Sequence, residues 1–506
     1  LEKYISEISE NLPENIIKKY DFISRKQAFY KIHFPKNSHD TELAKQRLAY
    51  EELYAINYHT ISQKHKRFDE SEWKSLPIPL DAELVKEIMN RIPFELTWGQ
   101  KIALFQILKD MEKNHSMQRL LEWDVGTWKT IVALIAIIHA IKQSEKLWEK
   151  IQVAIMAPTE ILARQHFAST QNMLIECWLT SHLLVWSTTA SQKKTIKADL
   201  KAWHVDVIIG THALVQEDVF FSNLWFVIID EQHRFGVKQR EVLEKWWGNA
   251  SERVPHNLNM TATPIPRTLA LTLYGDQDLS VISEYPKWRK EIHTKVAKND
   301  NQRQEIELFV RNQIEQGRQV FWVSPLVEES EKIDLANAIS TYENLTDIYS
   351  PFRVGLIHGK MKAKEKEAVM QEFVENKIQI LSSTTVIEVW VDIPNATIMC
   401  IEWAERFGLS SLHQIRGRVG RWKHQSYCYL FPTSGQPTDR LRAMEQTNNG
   451  FELSEIDLEI RGPWEVYWIR QSGLPDLKIA DITDLQLVSQ IREDIEEMFD
   501  KKEVWK

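Results

Sequence analysis

The chain has 506 residues, of which 43% are hydrophobic and 26% are charged, and its formal net charge is −8. This length is too great for one hydrophobic core and predicts two or three domains of an ordinary globular protein. No segment reaches the roughly 18 apolar residues that a bilayer crossing needs, so the sequence predicts no membrane association. Three widely separated cysteines, Cys177, Cys400 and Cys428, predict neither a disulfide framework nor a metal site and favour a cytoplasmic location.

The N-terminal part of the chain is charged, and stretches such as Glu42–Tyr58 carry helical periodicity. From Phe94 onward, short apolar runs alternate with helical stretches. This alternation predicts an α/β fold of two lobes, each a parallel sheet covered by helices. Polar, unpatterned Lys290–Asn301 predicts the boundary between the lobes, and Asp481–Asp500 predicts a C-terminal helix. The predicted strands are Gln118–Glu122, Val153–Ala157, Val205–Gly210, Phe226–Asp230, Val320–Val323, Val354–Ile357, Ile378–Ser382, Thr397–Ile401 and Tyr427–Phe431.

A candidate phosphate-binding loop lies between the first predicted strand and an apolar helix that begins at Thr130. The loop reads W-D-V-G-T-W-K-T, and Lys129 and Thr130 match the pattern G-x-x-x-x-G-K-[ST] in type and spacing. Trp123 and Trp128 stand where the pattern has glycine. Such loops bind phosphate through backbone N–H groups at a helix N-terminus, which requires close backbone approach. An indole at either position would crowd the phosphates.

Two further motifs indicate a nucleotide-driven motor. Phe226–His233 is an apolar strand that ends in two carboxylates, one suited to Mg²⁺ and the next to activating the attacking water. Gln414–Arg421 includes Arg418 and Arg421, two arginines three residues apart and flanked by glycines, which suits a pair of fingers that neutralise γ-phosphate charge. An apolar strand ending in Asp-Glu is usually structural when it occurs alone. The combined motifs, in this order across two lobe-sized segments, favour nucleotide hydrolysis.

The chain resembles superfamily 2 helicases and, within them, the RecG family of branch-migrating DNA translocases. The resembling segments are His33–Pro35, Ala157–His166, Gly210–Gln216, Val227–Arg240, Met260–Asp276, Pro325–Ser330, Ser383–Val389, Ala404–Arg421 and Asp457–Gly473. The resemblance implies two RecA-like lobes in an α/β fold. It implies a helical linker at 1–75, an ATP-binding lobe at 76–293, a second lobe at 294–445 and a translocation motif with C-terminal helices at 446–506. It also implies that the family's wedge domain, an OB-fold, lies upstream and is absent here.

The resemblance implies a role for each matching residue around ATP and Mg²⁺. Gln100, with Phe94 nearby, would read adenine, and Asp392 would lie by the ribose. Thr130 and Asp230 would hold Mg²⁺, and Glu231 would act as the base. Lys129, Arg418 and Arg421 would contact the phosphates. The remaining predicted nucleotide-binding residues are Asp124, Val125, Gly126, Thr127 and Gln414.

A second set of residues is implied to contact DNA or to couple hydrolysis to movement. These residues are Pro158, Thr159, Thr211, His212, His233, Thr261, Thr263, Arg461 and Gln471. The resemblance predicts an ATP-dependent helicase that acts, as a monomer, on branched double-stranded DNA in recombination and repair: forks, Holliday junctions and R-loops. Single-strand binding protein is a further implied partner. A transcription-coupled repair translocase, which shares much of this motor, is the alternative.

Tryptophan replaces glycine in an unusual pattern. The chain has 16 glycines and 19 tryptophans, whereas average usage of about 7% would give about 35 glycines. Tryptophan stands where the resembled family has, or commonly has, glycine at positions 98, 123, 128, 186, 203, 288, 390, 422, 464 and 468. We hypothesise that the gene reads UGA as glycine and was translated with a table that reads it as tryptophan. If the tryptophans are literal, the chain is a catalytically dead DNA-binding module. The chain with glycine at these ten positions is called the glycine version below.

Overall fold

A computed structural model gives the architecture of the chain. It describes residues 7–69, 74–125, 129–216, 218–232, 254–273, 275–286, 289–325, 331–384, 393–420, 424–433, 435–461 and 477–500. Two compact units are present: Leu1–Lys74 with Ile265–Leu279 and Arg461–Lys506, and Ser75–Pro264 with Ser280–Ile460. We call them the helical unit and the motor unit. None of the described helices combines the length and apolar character that a bilayer crossing requires.

Helices and strands alternate through most of the motor unit. The helices are α1 Glu14–Lys19, α2 Arg25–His33, α3 Ser38–Asp69, α4 Ala82–Asn90, α5 Trp98–Met111, α6 Lys129–Lys146, α7 Glu160–Glu176, α8 Ala190–Lys201, α9 Arg267–Leu273, α10 Asp300–Glu315, α11 Glu331–Ile348, α12 Ala363–Val374, α13 Leu409–Arg416, α14 Asp439–Gln446, α15 Gly450–Arg461 and α16 Leu485–Asp500. The strands are β1 Gln118–Trp123, β2 Gln152–Met156, β3 Ser181–Leu184, β4 Val207–Gly210, β5 Leu224–Asp230, β6 His256–Thr261, β7 Asp278–Ile282, β8 His293–Val296, β9 Gln319–Val323, β10 Val354–Ile357, β11 Ile380–Ser383, β12 Ala396–Glu402 and β13 Tyr427–Phe431.

The first lobe of the motor unit is built on a seven-stranded sheet in the order β3-β4-β2-β5-β6-β1-β7. The pairs β3–β4, β4–β2, β2–β5, β5–β6 and β6–β1 are parallel. Every residue of β2, β4, β5 and β6 is buried, as expected of parallel strands with helices on both faces. Helix α6 adds Val132, Ile135 and Ile138 to this core.

The second lobe is built on a six-stranded sheet in the order β10-β11-β9-β12-β13-β8, with parallel pairing throughout. Strands β9 and β12 are buried along their whole length. The predicted fold of two parallel-sheet lobes is therefore confirmed. Each predicted strand is present to within a few residues. The sequence does not predict β3, β6, β7 or β8. Strand β8 lies inside Lys290–Asn301, the polar stretch that predicts the lobe boundary.

The helical unit holds α1, α2, α3, α9 and α16. The carboxylate of Asp494 on α16 accepts hydrogen bonds from Lys19 Nζ at 2.5 Å, Tyr20 OH at 2.8 Å and Tyr50 OH at 2.5 Å. Arg492, also on α16, donates to the carbonyl of Leu271 on α9 at 2.7 Å. These polar contacts, three of them at the buried carboxylate of Asp494, join segments that are far apart in the sequence within one compact unit.

Two buried histidines of the first lobe accept backbone hydrogen bonds. The N–H of Asp81 donates to His139 Nε2 and that of Met117 donates to His256 Nδ1, both at 3.0 Å. An accepting ring nitrogen cannot carry a proton, so these rings are held neutral. Burial lowers the pKa of His139 to about 4 and that of His256 to about 3.

We predict that the first lobe loses stability as the pH falls below about 6.5, the ordinary histidine value. The unfolded chain binds these protons and the folded chain does not, so stability is complete above pH 6.5 and falls towards pH 4. At pH 5 the loss is about 2 kcal/mol per histidine. Urea midpoints at pH 7 and pH 5 measure it. The control carries His139→Gln and His256→Gln, and an equal fall in that variant would contradict the prediction.

Candidate nucleotide site and motor core

Three adjacent strands of the first lobe carry the predicted catalytic residues at one edge of the sheet. Strand β6 lies between β1 and β5, with Glu122 paired to Thr261 and Asp230 paired to Met260. The carboxyl ends of parallel strands meet at the same edge, where open α/β sheets bind ligands. Asp124, the Asp230-Glu231 pair and the Thr261–Thr263 loop therefore share one edge.

The predicted metal ligand and base have distinct surroundings. Asp230 is fully buried, and its Oδ2 lies 2.6 Å from Nε2 of His166 on α7. Glu231 has a φ of +51°, in the left-handed region that non-glycine residues rarely occupy. Its N–H donates to the carbonyl of Met260 at 2.8 Å. Strained backbone of this kind is characteristic of functional sites, so the geometry of Glu231 favours a role in chemistry.

The loop after β6 is preorganised by its own hydroxyls. The hydroxyls of Thr261 and Thr263 lie 2.8 Å apart, and the N–H of Thr263 donates to Thr261 Oγ1 at 3.3 Å. The N–H of Ala262 donates to a Glu231 carboxylate oxygen at 3.4 Å. A hydrogen-bonded connection therefore joins the predicted base to the two threonines predicted to couple hydrolysis to DNA contacts.

Asp124, at the start of the phosphate loop, is fully buried and surrounded by donors from the rest of the motor unit. Its carboxylate accepts the N–H of Gly450 at 2.8 Å, the hydroxyl of Tyr285 and a ring nitrogen of His413. Burial by itself raises the pKa of the Asp124 carboxyl, but the hydrogen bonds from His413, Tyr285 and Gly450 outweigh it and lower that pKa to about 2. Asp124 is therefore an anion held by both lobes.

The helix that leads to the predicted arginine finger is anchored beside this carboxylate. Arg416 at the end of α13 is buried and lies 3.0 Å from His413 Nδ1. It donates to the carbonyls of Met444 at 2.8 Å and Thr447 at 3.0 Å. Half-buried Arg418 follows two residues later, and its N–H donates to the carbonyl of Ile415 at 3.0 Å.

The turn after α13 lies directly against Val125, which follows Asp124. A Cβ on Gly417 would meet Val125 Cγ1 at 2.3 Å, so only glycine permits this approach. Arg289 joins the same two segments, because it donates to the carbonyl of Val125 at 2.5 Å and to that of Gly420 at 3.2 Å. A cavity of about 300 Å³ opens beside these residues, with Arg289 and Arg416 in its lining.

The residues predicted to contact DNA lie at the ends of two neighbouring strands. Pro158 and Thr159 follow β2, and Thr211 and His212 follow β4, whose last residue pairs with Met156. The hydroxyl of Thr159 accepts the N–H of Leu162 at 3.4 Å and caps α7. These four predicted residues are therefore brought together at the same sheet edge as the nucleotide residues.

The other predicted residues are described in part. Gln100 is buried, and its side-chain oxygen accepts the N–H of Thr97 at 2.8 Å in a capping box. Phe94 packs against the first-lobe core, and Gln414 is buried on α13. Lys129 and Thr130 begin α6, and Arg461 ends α15. The predicted residues that lie outside the described residues are Gly126, Thr127, His233, Asp392, Arg421 and Gln471.

Four partners of the site were not singled out from the sequence: His166, Tyr285, His413 and Gly450. His166 is the last residue of the segment Ala157–His166, and His413 immediately precedes Gln414–Arg421. An ionisable side chain at the edge of a motif is the sequence signal that could have identified both. No sequence pattern indicated Tyr285 or Gly450, because their contacts with Asp124 span more than 160 residues. Trp123, a predicted glycine position, is buried at the end of β1 in the first-lobe core.

Three family models match successive parts of the chain. The model for the DEAD/DEAH box helicase matches residues 98–272, and that for the helicase conserved C-terminal domain matches residues 299–423. The model for the C-terminal part of domain 3 of the ATP-dependent DNA helicase RecG matches residues 447–506. The first range includes β1 to β6, the second includes β9 to β12, and the third includes α15 and α16.

Curated relatives decide the family. The ATP-dependent DNA helicase RecG of Bacillus subtilis is 42% identical over 511 residues, covering 100% of this chain and 73% of that protein. This chain belongs to the RecG family. RecG of Synechocystis sp. is 43% identical over 488 residues. The RecG-family chain spans 57% of that relative's length and 62% of the length of RecG from Thermotoga maritima.

Solved structures agree with this assignment. A structure of RecG bound to a three-way DNA junction is 40% identical, with a TM-score of 0.75, and the match covers 96% of this chain and 62% of that one. S. cerevisiae Dbp5 bound to RNA and ADP–BeF3 is 15% identical, with a TM-score of 0.52 over 83% of this chain and 98% of that one. The Dbp5 likeness is one of fold alone.

We predict that Gly417→Ala in the glycine version separates the turn that carries Arg418, a predicted arginine finger, from Val125. The added methyl would overlap Val125, and overpacking of this kind costs about 1–3 kcal/mol. ATP hydrolysis should fall about tenfold or more, with a lower thermal midpoint. Gly359→Ala is the matched control, because a Cβ there meets nothing within 4 Å. Equal activity of the two variants would contradict the prediction.

Proposed function

We propose that this chain is the motor part of an ATP-dependent DNA helicase that translocates on branched double-stranded DNA. Its actions would be reversal of stalled forks and branch migration of Holliday junctions in recombination and repair. The main support is the likeness, at 40% identity over 96% of the chain, to RecG bound to a three-way DNA junction. The shared edge of β1, β6 and β5, with the predicted base on strained backbone, supports ATP hydrolysis at that edge.

Thr130 and Asp230 would hold Mg²⁺ next to the phosphates. Hydroxyl and carboxylate oxygens are hard donors, and Mg²⁺ at phosphate sites typically takes one or two protein oxygens and completes its shell with water and phosphate. One Asp230 oxygen lies against His166, so the histidine would orient the carboxylate for the ion. When bound, Mg²⁺ would neutralise charge on the β- and γ-phosphates.

The chain's own residues would then position the reaction. Glu231 would orient and deprotonate the attacking water, and Lys129 would contact the phosphates from α6. Arg418 and Arg421 would offset the charge that develops on the γ-phosphate. The 2.8 Å contact between the Thr261 and Thr263 hydroxyls would pass a change at Glu231 towards the DNA-facing strand ends.

Other parts of the proposal concern DNA and partners. Pro158, Thr159, Thr211 and His212 would contact the DNA backbone, with His233, Arg461 and Gln471 coupling hydrolysis to translocation. R-loops, single-strand binding protein, a monomeric state and a cytoplasmic location remain predictions, as does the division at residues 75, 293 and 445. The match of residues 447–506 to RecG domain 3 favours this function over a transcription-coupled repair translocase.

We predict that Glu231→Gln in the glycine version binds ATP but hydrolyses it about 10²- to 10⁴-fold more slowly, because the phosphate contacts remain while the base is lost. A fluorescent ATP analogue measures affinity, and phosphate release with a three-way junction measures turnover. Glu112→Gln is the matched control, since Glu112 pairs with Lys109 on the same lobe.

Two results would contradict the proposal in different ways. Unreduced turnover of the Glu231 variant would show that another group activates the water. Turnover of the glycine version that is indifferent to branched DNA would argue against a branched-DNA motor, even with the base assigned correctly.

A further inference from the structure

The carboxylate of Asp124 links the phosphate loop to two helices of the second half of the motor unit. It accepts from His413 on α13 and from the N–H of Gly450, the first residue of α15. A carboxylate at a helix N-terminus is favoured by the helix dipole. Gly450 has little room, because a Cβ there would meet His413 Nε2 at 2.6 Å and an Asp124 oxygen at 2.8 Å.

Both helices lead to predicted working residues. Helix α13 continues into the turn with Arg418, and α15 runs for 12 residues to Arg461, the first arginine of the predicted translocation motif. A helix of this length spans about 18 Å. A displacement of Asp124 would therefore move the first turn of α15, whose last residue is Arg461. Arg461 is predicted to couple hydrolysis to translocation.

We propose that Asp124 and His413 are positioning residues that relay the state of the phosphate loop to the arginine finger and to the translocation motif. The inference rests on the proposed function and adds residues that would connect ATP hydrolysis to translocation on DNA. Arg416 supports this arrangement, because its guanidinium contacts Nδ1 of His413 on the side away from Asp124. The same guanidinium donates to the carbonyls of Met444 and Thr447.

His413→Ala and His413→Gln in the glycine version test the relay. The alanine variant leaves Asp124 without one donor, whereas glutamine can still donate through its amide. Coupling free energies between sites usually correspond to 5- to 150-fold effects. We expect the alanine variant to lose at least about fivefold of the DNA stimulation of ATPase activity, with ATP-analogue affinity changed less, and glutamine to restore most of it.

A matched control separates coupling from stability. Asp110→Asn breaks another buried pair of the first lobe, 2.6 Å from Arg119, and should lower the thermal midpoint without changing the DNA stimulation ratio. If His413→Ala keeps the full ratio, or glutamine fails to rescue it, the relay is wrong. Absence of DNA-stimulated hydrolysis in the parent chain would instead overturn the proposed function, and the relay with it.

An independent observation concerns the ends of helices. Helices α6, α7 and α8 are followed by Trp148, Trp178 and Trp203, whose φ values are +59°, +58° and +64°. In each case the next residue donates its N–H to a carbonyl five residues earlier, at 3.0, 2.9 and 2.9 Å. This is the Schellman ending, whose left-handed position is usually glycine.

Other helices of the same chain show which residues belong there. Helix α10 ends in the same way with Gly317 at φ +84°, and α12 does so with Asn376 at φ +57°. Trp148 and Trp178 are 97% and 90% exposed, so no packing of the indole compensates for the strained backbone. Trp403 is a fourth tryptophan with left-handed backbone, at φ +46°, but it precedes a 3₁₀ turn instead of following a helix.

Two other tryptophans have the opposite character. Trp225 and Trp322 are buried, and each indole N–H donates a hydrogen bond at 3.1 Å, to the carbonyl of Leu76 and to Glu402 respectively. Trp322 also stacks on Phe431 with centroids 5.6 Å apart. Glycine at either position would leave a large cavity and remove the indole hydrogen bond.

We infer that the natural protein carries glycine at positions 148, 178, 203 and 403 and tryptophan at 225 and 322. Of these, only Trp203 was a predicted glycine position, so backbone geometry extends the codon hypothesis to three new sites. The gene should have UGA at the four left-handed positions and UGG at the two buried ones.

Peptide mass spectrometry of the natural protein tests this division directly. Glycine at 178 and 203 together with tryptophan at 322 would support it, and tryptophan at 178 or 203 would overturn it. In the chain as written, Trp178→Gly should raise the thermal midpoint, because it removes the strain, and Trp322→Gly should lower it. A fall in both variants would also contradict the inference.

Discussion

A buried carboxylate sets the arrangement of the motor. Asp124 is removed from water, and such an anion is tolerated only if donors surround it. The donors are Tyr285, His413 on α13 and Gly450 at the start of α15, so the surroundings of Asp124 are not made by the first lobe alone. Leaving a buried polar group without its hydrogen-bond partner costs about 1–3 kcal/mol, and more when the group is charged. The site and the packing of the two lobes therefore depend on the same group.

The order of the strands in the first sheet determines which predicted site residues lie near Asp124. Because β6 lies between β1 and β5, residues that are more than a hundred positions apart meet at one edge. Asp230 and Glu231 end one strand, Thr261 ends the next, and the loop after β1 completes the set. Parallel strands with both faces buried have little freedom to shift, so the edge offers a rigid frame. The contacts made by α13, Arg289 and Gly417 then bring the second lobe's cationic turn to that frame.

Continuous apolar strands such as β2, β5 and β12 could be predicted, because burial on both faces leaves no polar alternation. Strand β6 could not, since its buried Asn257 and Asn259 make it look like a loop. Predicted site residues within one motif are adjacent at the sheet edge. The partners of Asp124 were missed because hydrogen bonds between segments about 290 and 326 residues apart leave no local pattern. Their identity depends on the folded topology rather than on neighbouring residues.

The left-handed helix endings have a consequence beyond this chain. A backbone torsion angle is set by hydrogen bonding among many residues, whereas the side chain at that position is set by a single codon. At the described left-handed helix endings, Gly317, Asn376 and Asp21 are residue types that tolerate this conformation, and every bulky residue found there is tryptophan. A conflict that recurs with one bulky residue type concerns translation rather than folding. Helix termini can therefore serve as an internal check on the genetic code with which a gene was translated, without any relative for comparison.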